Sequence, residues 1–344
     1  MAAESNLFST YYNMTALSVL SHNEQLVTRV QNLVQGEPIL EDAVIHKANE
    51  KLGHFGVRQE SLPTAQLVKL GGYTGTSVVR YAPFHEDMAM VKDSFQIDKD
   101  TLDLEGPGKL EQLETDHREA FKQSCARQLL NGDASTSVES FDGLLVRRNT
   151  PDNGSGSYSP LSPDPATAAQ PGVYDMEGTG SDTFSILFIQ WGETKVSVIT
   201  PPGDPNLGLE EGNLFPVEEN DPDDSTKHRT IYRKYTQRRF GLAVANELTF
   251  ARLRNIENSV SAINPVLVTK INEILGEYFV DDQPVWLYMP PRGITIMTTL
   301  MNNKMNVQMS RDNPYRMDMP AWDGRHPIRR CRSMSKTETA VTAV

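Results

Sequence analysis

Between His54 and Tyr81 the chain carries Phe55, Val57, Leu62, Leu67, Leu70, Val78 and Val79, set around Gly71-Gly72 and Gly75. Extended runs at 55–58 and 77–81 flanking a glycine-rich tip predict a long two-stranded hairpin. These apolar residues are too numerous for a solvent-facing ribbon and too interrupted by glycine to form a core, and an isolated hairpin is marginal in water. The segment therefore needs a surface supplied by another subunit. Residues 1–35 pose the same problem: Leu17, Leu20, Val27, Val30, Leu33 and Val34 are spaced irregularly, which predicts an arm with helical pieces that orders only against a partner. A chain built around two such arms assembles.

The remainder supports a real core. With 344 residues and 38% hydrophobic content, two subdomains are expected, and disorder, collagen and coiled coil are excluded. No window reaches the ~18–20 apolar residues of a membrane span, and the N-terminal residues lack the pattern of a signal peptide. A formal charge of −12 disfavours a general nucleic-acid binder. Cys125 and Cys331 have no second thiol or histidine at metal spacing and are expected to be buried free thiols in a reducing compartment.

Two helices are expected. Residues 109–131 carry Leu110, Leu113, Phe121, Cys125 and Leu129 on one stripe with His117 among them, have an i,i+4 pair in Glu114 and Arg118, and close at Gly132. A second helix opens at Asn264-Pro265 and carries Leu267, Ile271, Ile274, Leu275 and Tyr278. Between them, residues 149–180 are too rich in Pro, Gly and Ser for a core element and are expected to be a surface excursion. The runs 184–190 and 195–200, separated by Trp191-Gly192-Glu193-Thr194, predict a strand pair with a tight turn.

Residues 204–224 hold eight acidic and no basic side chains, whereas 227–239 hold six basic and no acidic ones. They form either two solvated faces or complementary patches on neighbouring copies. The second reading puts Lys227, Arg229, Arg233, Lys234, Arg238 and Arg239 opposite the stretch 210–224 of a neighbour. It implies that reversing Arg238 and Arg239 to Glu blocks assembly without disturbing the fold.

Catalytic constellations are weak. Glu114 and His117 form half of a carboxylate di-iron motif, but no second Glu-x-x-His follows, so a packed or partner-bonded histidine is favoured. The loop 71–77 lacks the Lys of a phosphate-binding loop and has no helix behind it, so a hairpin tip is favoured. There is no G-x-S-x-G elbow, Cys125 sits in mid-helix, and the seven histidines are scattered.

Local strings add a family. The run Gly36-Glu37-Pro38-Ile39-Leu40-Glu41-Asp42-Ala43, then Arg58 to Ser61-Leu62-Pro63-Thr64, Lys69-Leu70-Gly71 and Ile97-Asp98-Lys99-Asp100 with Leu102 and Leu104 resemble, in order and spacing, the first third of the coat proteins of short-tailed phages related to epsilon15 and the Bordetella phage. The resemblance continues through Leu129-Leu130-Asn131-Gly132-Asp133, Phe141-Asp142-Gly143-Leu144, residues 178–186 leading to Trp191-Gly192, Gly241-Leu242, Arg252 to Asn255-Ile256, and the closing residues 324–331. It covers about 36 to 332 and departs at 149–170 and after Arg332.

The resemblance implies an α+β chain with the Hong Kong 97-like phage capsid fold. Residues 1–35 would be the N-terminal arm, 36–53 and 83–180 the peripheral domain with spine helix 109–131, 54–82 the extended loop, 181–325 mainly the axial domain, and 326–344 a C-terminal strand and tail. It implies no catalytic residues, metal or cofactor, and a coat protein in the virion that assembles into pentamers and hexamers around double-stranded DNA, with scaffolding, portal and decoration proteins as partners. Candidate interface residues are Phe55, Leu62, Leu67, Leu70, Val79, Arg233, Lys234, Arg238, Arg239, Glu210, Glu211, Glu218 and Glu219. An encapsulin-like shell and a soluble metal or phosphate enzyme are the alternatives.

Overall fold

The structure, a computed structural model, describes residues 37–61, 65–76, 78–105, 107–149, 172–203, 206, 208–220, 228–258, 266–279, 283–302, 321–335 and 337–341. The N-terminal arm, Leu62, residues 150–171 of the excursion and the acidic residues 221–224 lie outside these, while the excursion's described end, 172–180, carries a sheet strand with Val173 buried, a correction to the surface reading there. In chain order the elements are α1 (Pro38–Asp42), β1 (Ile45–Lys47), β2 (Gly53–Ser61), β3 (Arg80–Asp98), α2 (Lys99–Glu105), α3 (Pro107–Asn131), α4 (Leu144–Arg147), β4 (Val173–Asp175), β5 (Thr183–Ile189), β6 (Val196–Thr200) and β7 (Leu209–Glu211). They continue with β8 (Phe215–Asn220), β9 (His228–Val244), β10 (Phe250–Glu257), α5 (Val266–Glu273), β11 (Trp286–Met289), α6 (Pro291–Asn302), β12 (Ala321–Trp322) and β13 (His326–Arg330).

Two sheets organise the described residues. In the first, β9 is the axis: β3 runs antiparallel along one edge, while β8, β7 and β6 take successive stretches of the other, with β1 beyond β6 and β2 beyond β3. The second has the order β12-β13-β11-β5-β10-β4. Every residue of β5 is buried, and its alternation divides two cores. Leu187 and Ile189 join Phe121, Leu129, Leu144, Phe240 and Leu242 on one face, where α3 and the first sheet pack. Phe184, Ile186 and Phe188 join Leu267 and Ile271 of α5 and Ile296 and Met297 of α6 on the other.

The expected strand pair at 184–200 is corrected. Both strands form, but β5 belongs to the second sheet and β6 to the first, so Trp191 to Thr194 is a crossing between sheets. Both runs are buried on both faces, and a strand without apolar–polar alternation carries no signal of its neighbour. The crossing is held from outside the turn. Trp191 Nε1 donates to Tyr288 Oη at 2.8 Å, and Lys195 Nζ donates to Gln283 Oε1 at 2.9 Å.

The helix expected at 109–131 is α3, and its apolar stripe is buried along the second half, at Phe121, Cys125, Ala126, Leu129 and Leu130. Gly132 closes it through close approach, without a left-handed backbone. Its N–H donates to the Gln128 carbonyl at 3.0 Å and its carbonyl accepts from the Gly143 N–H at 2.8 Å. A Cβ there would lie 2.6 Å from the Gln128 carbonyl oxygen, and closer to that of Phe141. Gly132→Ala is therefore expected to destabilise the subunit by about 1–3 kcal/mol through overpacking, read as a lowered denaturation midpoint.

The tail after Arg332, which the sequence patterns leave unplaced, is built into the second sheet's border. Thr183 N and Oγ1 donate to the Glu338 carbonyl at 3.2 and 2.8 Å, and Asn255 Nδ2 donates to the Val341 carbonyl at 2.8 Å. Asn255 has φ of +53°, a left-handed position that Asn tolerates, and the β10 register shifts between Leu253 and Ile256.

Candidate assembly surfaces

The expected hairpin forms on two rails, but its second strand begins at Arg80 and not at 77, and it runs far beyond the expected end at Tyr81. β2 pairs antiparallel with β3 from Gly53↔Asp87 to Ser61↔Arg80, and β3 then runs on without a break beside β9. At the tip, Gly71 has φ of +81°, the Gly72 N–H donates to the Lys69 carbonyl at 2.8 Å and the Gly75 N–H to Gln66 Oε1 at 3.2 Å. These bonds are those of a turn, and two of the loop's amides are already in use. Leu67, Leu70 and Tyr73 are fully exposed, Val78, Val57 and Phe55 largely so, and Val79 is half-buried.

The hairpin's foot is packed and charged. Cβ atoms on Gly53 and Gly56 would run into the rings of His85 and Phe84, so glycine lets these cross-strand aromatics lie flat on β2. Glu86, buried on β3, is held by Arg147 of α4 through two bonds of 2.8 and 2.5 Å, and Arg147 Nε donates to the Asp142 carbonyl at 2.7 Å. Three of the histidines that look scattered in sequence meet here. The His46 and His54 rings stand edge to face with centroids 5.2 Å apart, His46 Nδ1 lies 3.1 Å from Glu193 Oε1, and His85 lies between Glu50 (3.4 Å) and Asp87 (3.2 Å).

Within one subunit the opposed charge blocks pair with each other. β7 and β8 lie antiparallel on β9, so acidic and basic runs adjacent in sequence become adjacent in register. Arg229 bonds Glu219 at 2.5 Å; Lys234 sits 2.9 Å from both Glu211 and Glu114; Glu210 accepts from Tyr235 Oη at 3.1 Å and from Gln237. Arg233 donates to Gln96. Lys234 and Arg238 are buried, and Arg238 lies over the Phe240 ring. Reversing Arg238 would place a carboxylate in the core, so the expectation of an intact fold in the double reversal fails on burial. Arg239 and Glu218 are exposed.

The family model for the major capsid protein GP7 matches residues 22–342. The chain belongs to that family. This capsid protein is thus a coat subunit of the virion, and the family's role is structural. Among solved structures it is similar to that of bacteriophage epsilon15, at 19% identity over 88% of each chain with a TM-score of 0.65. This shows the same fold, the expected Hong Kong 97-like one. It also matches the bacteriophage JBD30 procapsid (11% identity, 90% of this chain and 96% of that one, TM-score 0.45) and the SrpI encapsulin of Synechococcus elongatus (14%, 65% and 89%, 0.37). No curated protein matches the sequence.

In the capsid protein the Glu114–His117 pair faces partners of the same subunit. His117 Nδ1 lies 2.9 Å from Asp93 Oδ2 and its ring stacks on Phe95, with centroids 5.0 Å apart, while Glu114 binds Lys234 and Arg118. The partner-bonded reading of this histidine holds. Cys125 and Cys331 are buried free thiols, as expected; burial pushes them up to about 11 and about 12, so both stay protonated and unreactive near neutrality. No described helix is long and apolar enough to cross a membrane.

Proposed function

We propose that the hairpin from Gly53 to Asp87 is the extended loop of the coat subunit and lies across an adjacent copy, joining subunits into the pentamers and hexamers of a shell around double-stranded phage DNA. The observation that carries this is the pairing of a regular ladder with exposed Leu67, Leu70, Tyr73 and Val78. A two-stranded ribbon has no interior, so these side chains find burial only in trans. In this reading α3 is the spine helix of a peripheral domain, residues 181–325 supply mainly the axial domain, and the N-terminal arm orders on assembly. The net charge of −12 suits a wall that must surround a polyanion without gripping it. Scaffolding, portal and decoration proteins complete the set of partners, and the subunit performs no catalytic turnover.

Electron microscopy of the purified full chain tests this. Closed shells whose maps show the hairpin on a neighbour are the expected result, and a hairpin folded back on its own subunit would overturn it. Shells filled with protein cargo and lacking DNA would favour the encapsulin-like alternative.

A further inference from the structure

The foot of the hairpin carries a group that the neutral fold accommodates and the protonated fold does not. His54, the second residue of β2, lies directly opposite Glu86 of β3, and the short connection from β1 sets its ring edge-on to that of His46. Its Nδ1 is buried with no hydrogen-bond partner. The groups around it are His46 from β1, Glu50 from the connection, and the Phe84 ring, His85 and Glu86 from β3. Of the two carboxylates, Glu86 is already clasped by Arg147 and Glu50 lies against His85.

The three histidines therefore meet a proton differently. On His46 it faces Glu193, and on His85 it faces Glu50 and Asp87. On His54 it creates a buried N–H without an acceptor, edge to face with the His46 ring.

We propose that His54 is a proton-operated latch at the hairpin's foot: neutral, its ring packs against that of His46, and protonated, it drives the foot of β2 off His46 and releases the hairpin's angle. Burial first, then His46, holds the His54 imidazole below the ordinary histidine value, outweighing Glu86 and Glu50. A base so depressed gives the seated foot a stability that is present above the ordinary value near 6.5 and is lost as pH falls through the lower, folded value.

The latch rests on the reading of the hairpin as the moving connection between subunits, but it is tested before assembly. Spin labels on Tyr73→Cys at the tip and Val138→Cys, an exposed body position, report the hairpin's angle in the unassembled full chain, since both native thiols are buried. Between about pH 7.5 and 5.5, on either side of the ordinary histidine value, a second distance population is expected to grow severalfold as the imidazole takes up its proton. His54→Gln should abolish the growth and His85→Gln leave it in place. Should His54→Gln fail to fold, His46→Gln should move the transition to higher pH, because it removes the repelling neighbour. Identical distances at both pH values in the folded parent, or an undiminished response in His54→Gln, would overturn the latch while leaving docking in trans untouched; a pH response in subunits that never form shells would do the reverse.

Discussion

Glu338→Ala is expected to cost the subunit about 3–5 kcal/mol, the penalty for stranding a buried charge. Arg252, almost fully buried on β10, donates through Nη1 to the carbonyls of Leu145 and Arg148 and through Nη2 to Ser185 Oγ and Glu338 Oε2, at 2.7, 2.8, 3.0 and 2.7 Å. It ties α4, β5 and the tail together in one residue. Burial pulls its guanidinium down to about 10, with Glu338 the main opposing influence. Without Glu338 the cation keeps its neutral acceptors and loses its counter-charge. A domain stable by roughly 5–15 kcal/mol loses much of its margin, so weak soluble expression and a sharply lowered denaturation midpoint are expected. A double-mutant cycle with Arg252→Met isolates the pair, and additive effects in that cycle would show that the charge contact is not the cause.

Leu67→Asp combined with Leu70→Asp should leave the subunit's stability within about 0.5 kcal/mol of the parent, because both side chains are fully exposed in it. It should nonetheless abolish closed shells. Each leucine contributes roughly 1.5–3 kcal/mol when buried, and a charge in its place carries a desolvation cost of the opposite sign. Particle yield by sedimentation and electron microscopy decides the matter: normal particles from the double variant would refute the docking of this tip. The pair Leu67 and Val79 is less clean, since Val79 is half-buried in the subunit and its loss perturbs the fold as well.

Local features were legible where chemistry is local. The α3 stripe, the glycine-rich tip and the burial of both cysteines all depend on spacings of a few residues, and all appear. The short helix α1 leaves no periodic signature, since five residues are too few to show a period, and Pro38 at its start is the one helix-opening signal. Long-range placement was illegible wherever composition is uniform: β5 and β6 are apolar on both faces, so nothing in them says that they part at Trp191. The charge blocks were visible, but their destination depends on register, and β9 meets β7 and β8 within the subunit. His46, His54 and His85 were invisible as a group because they come from three strands, and the network around Arg252 because Leu145, Ser185 and Glu338 lie far apart along the chain.

The unbroken course of β3 gives the hairpin the mechanics of a cantilever. At ~3.3 Å per residue, its 19 residues form a single beam of roughly 60 Å, clamped along Met88 to Asp98 by β9 and at Glu86 by Arg147, and paired with β2 along Arg80 to Asp87. The second rail starts afresh at Gly53. A load at the tip is thus carried in bending by β3 and in slip by β2, and the beam can change its angle only by sliding one rail past the other. Asp93, inside the clamp, holds His117 of α3, so the torque at the root is delivered to the long helix, and the stiffness of that joint sets how much curvature two linked subunits can share.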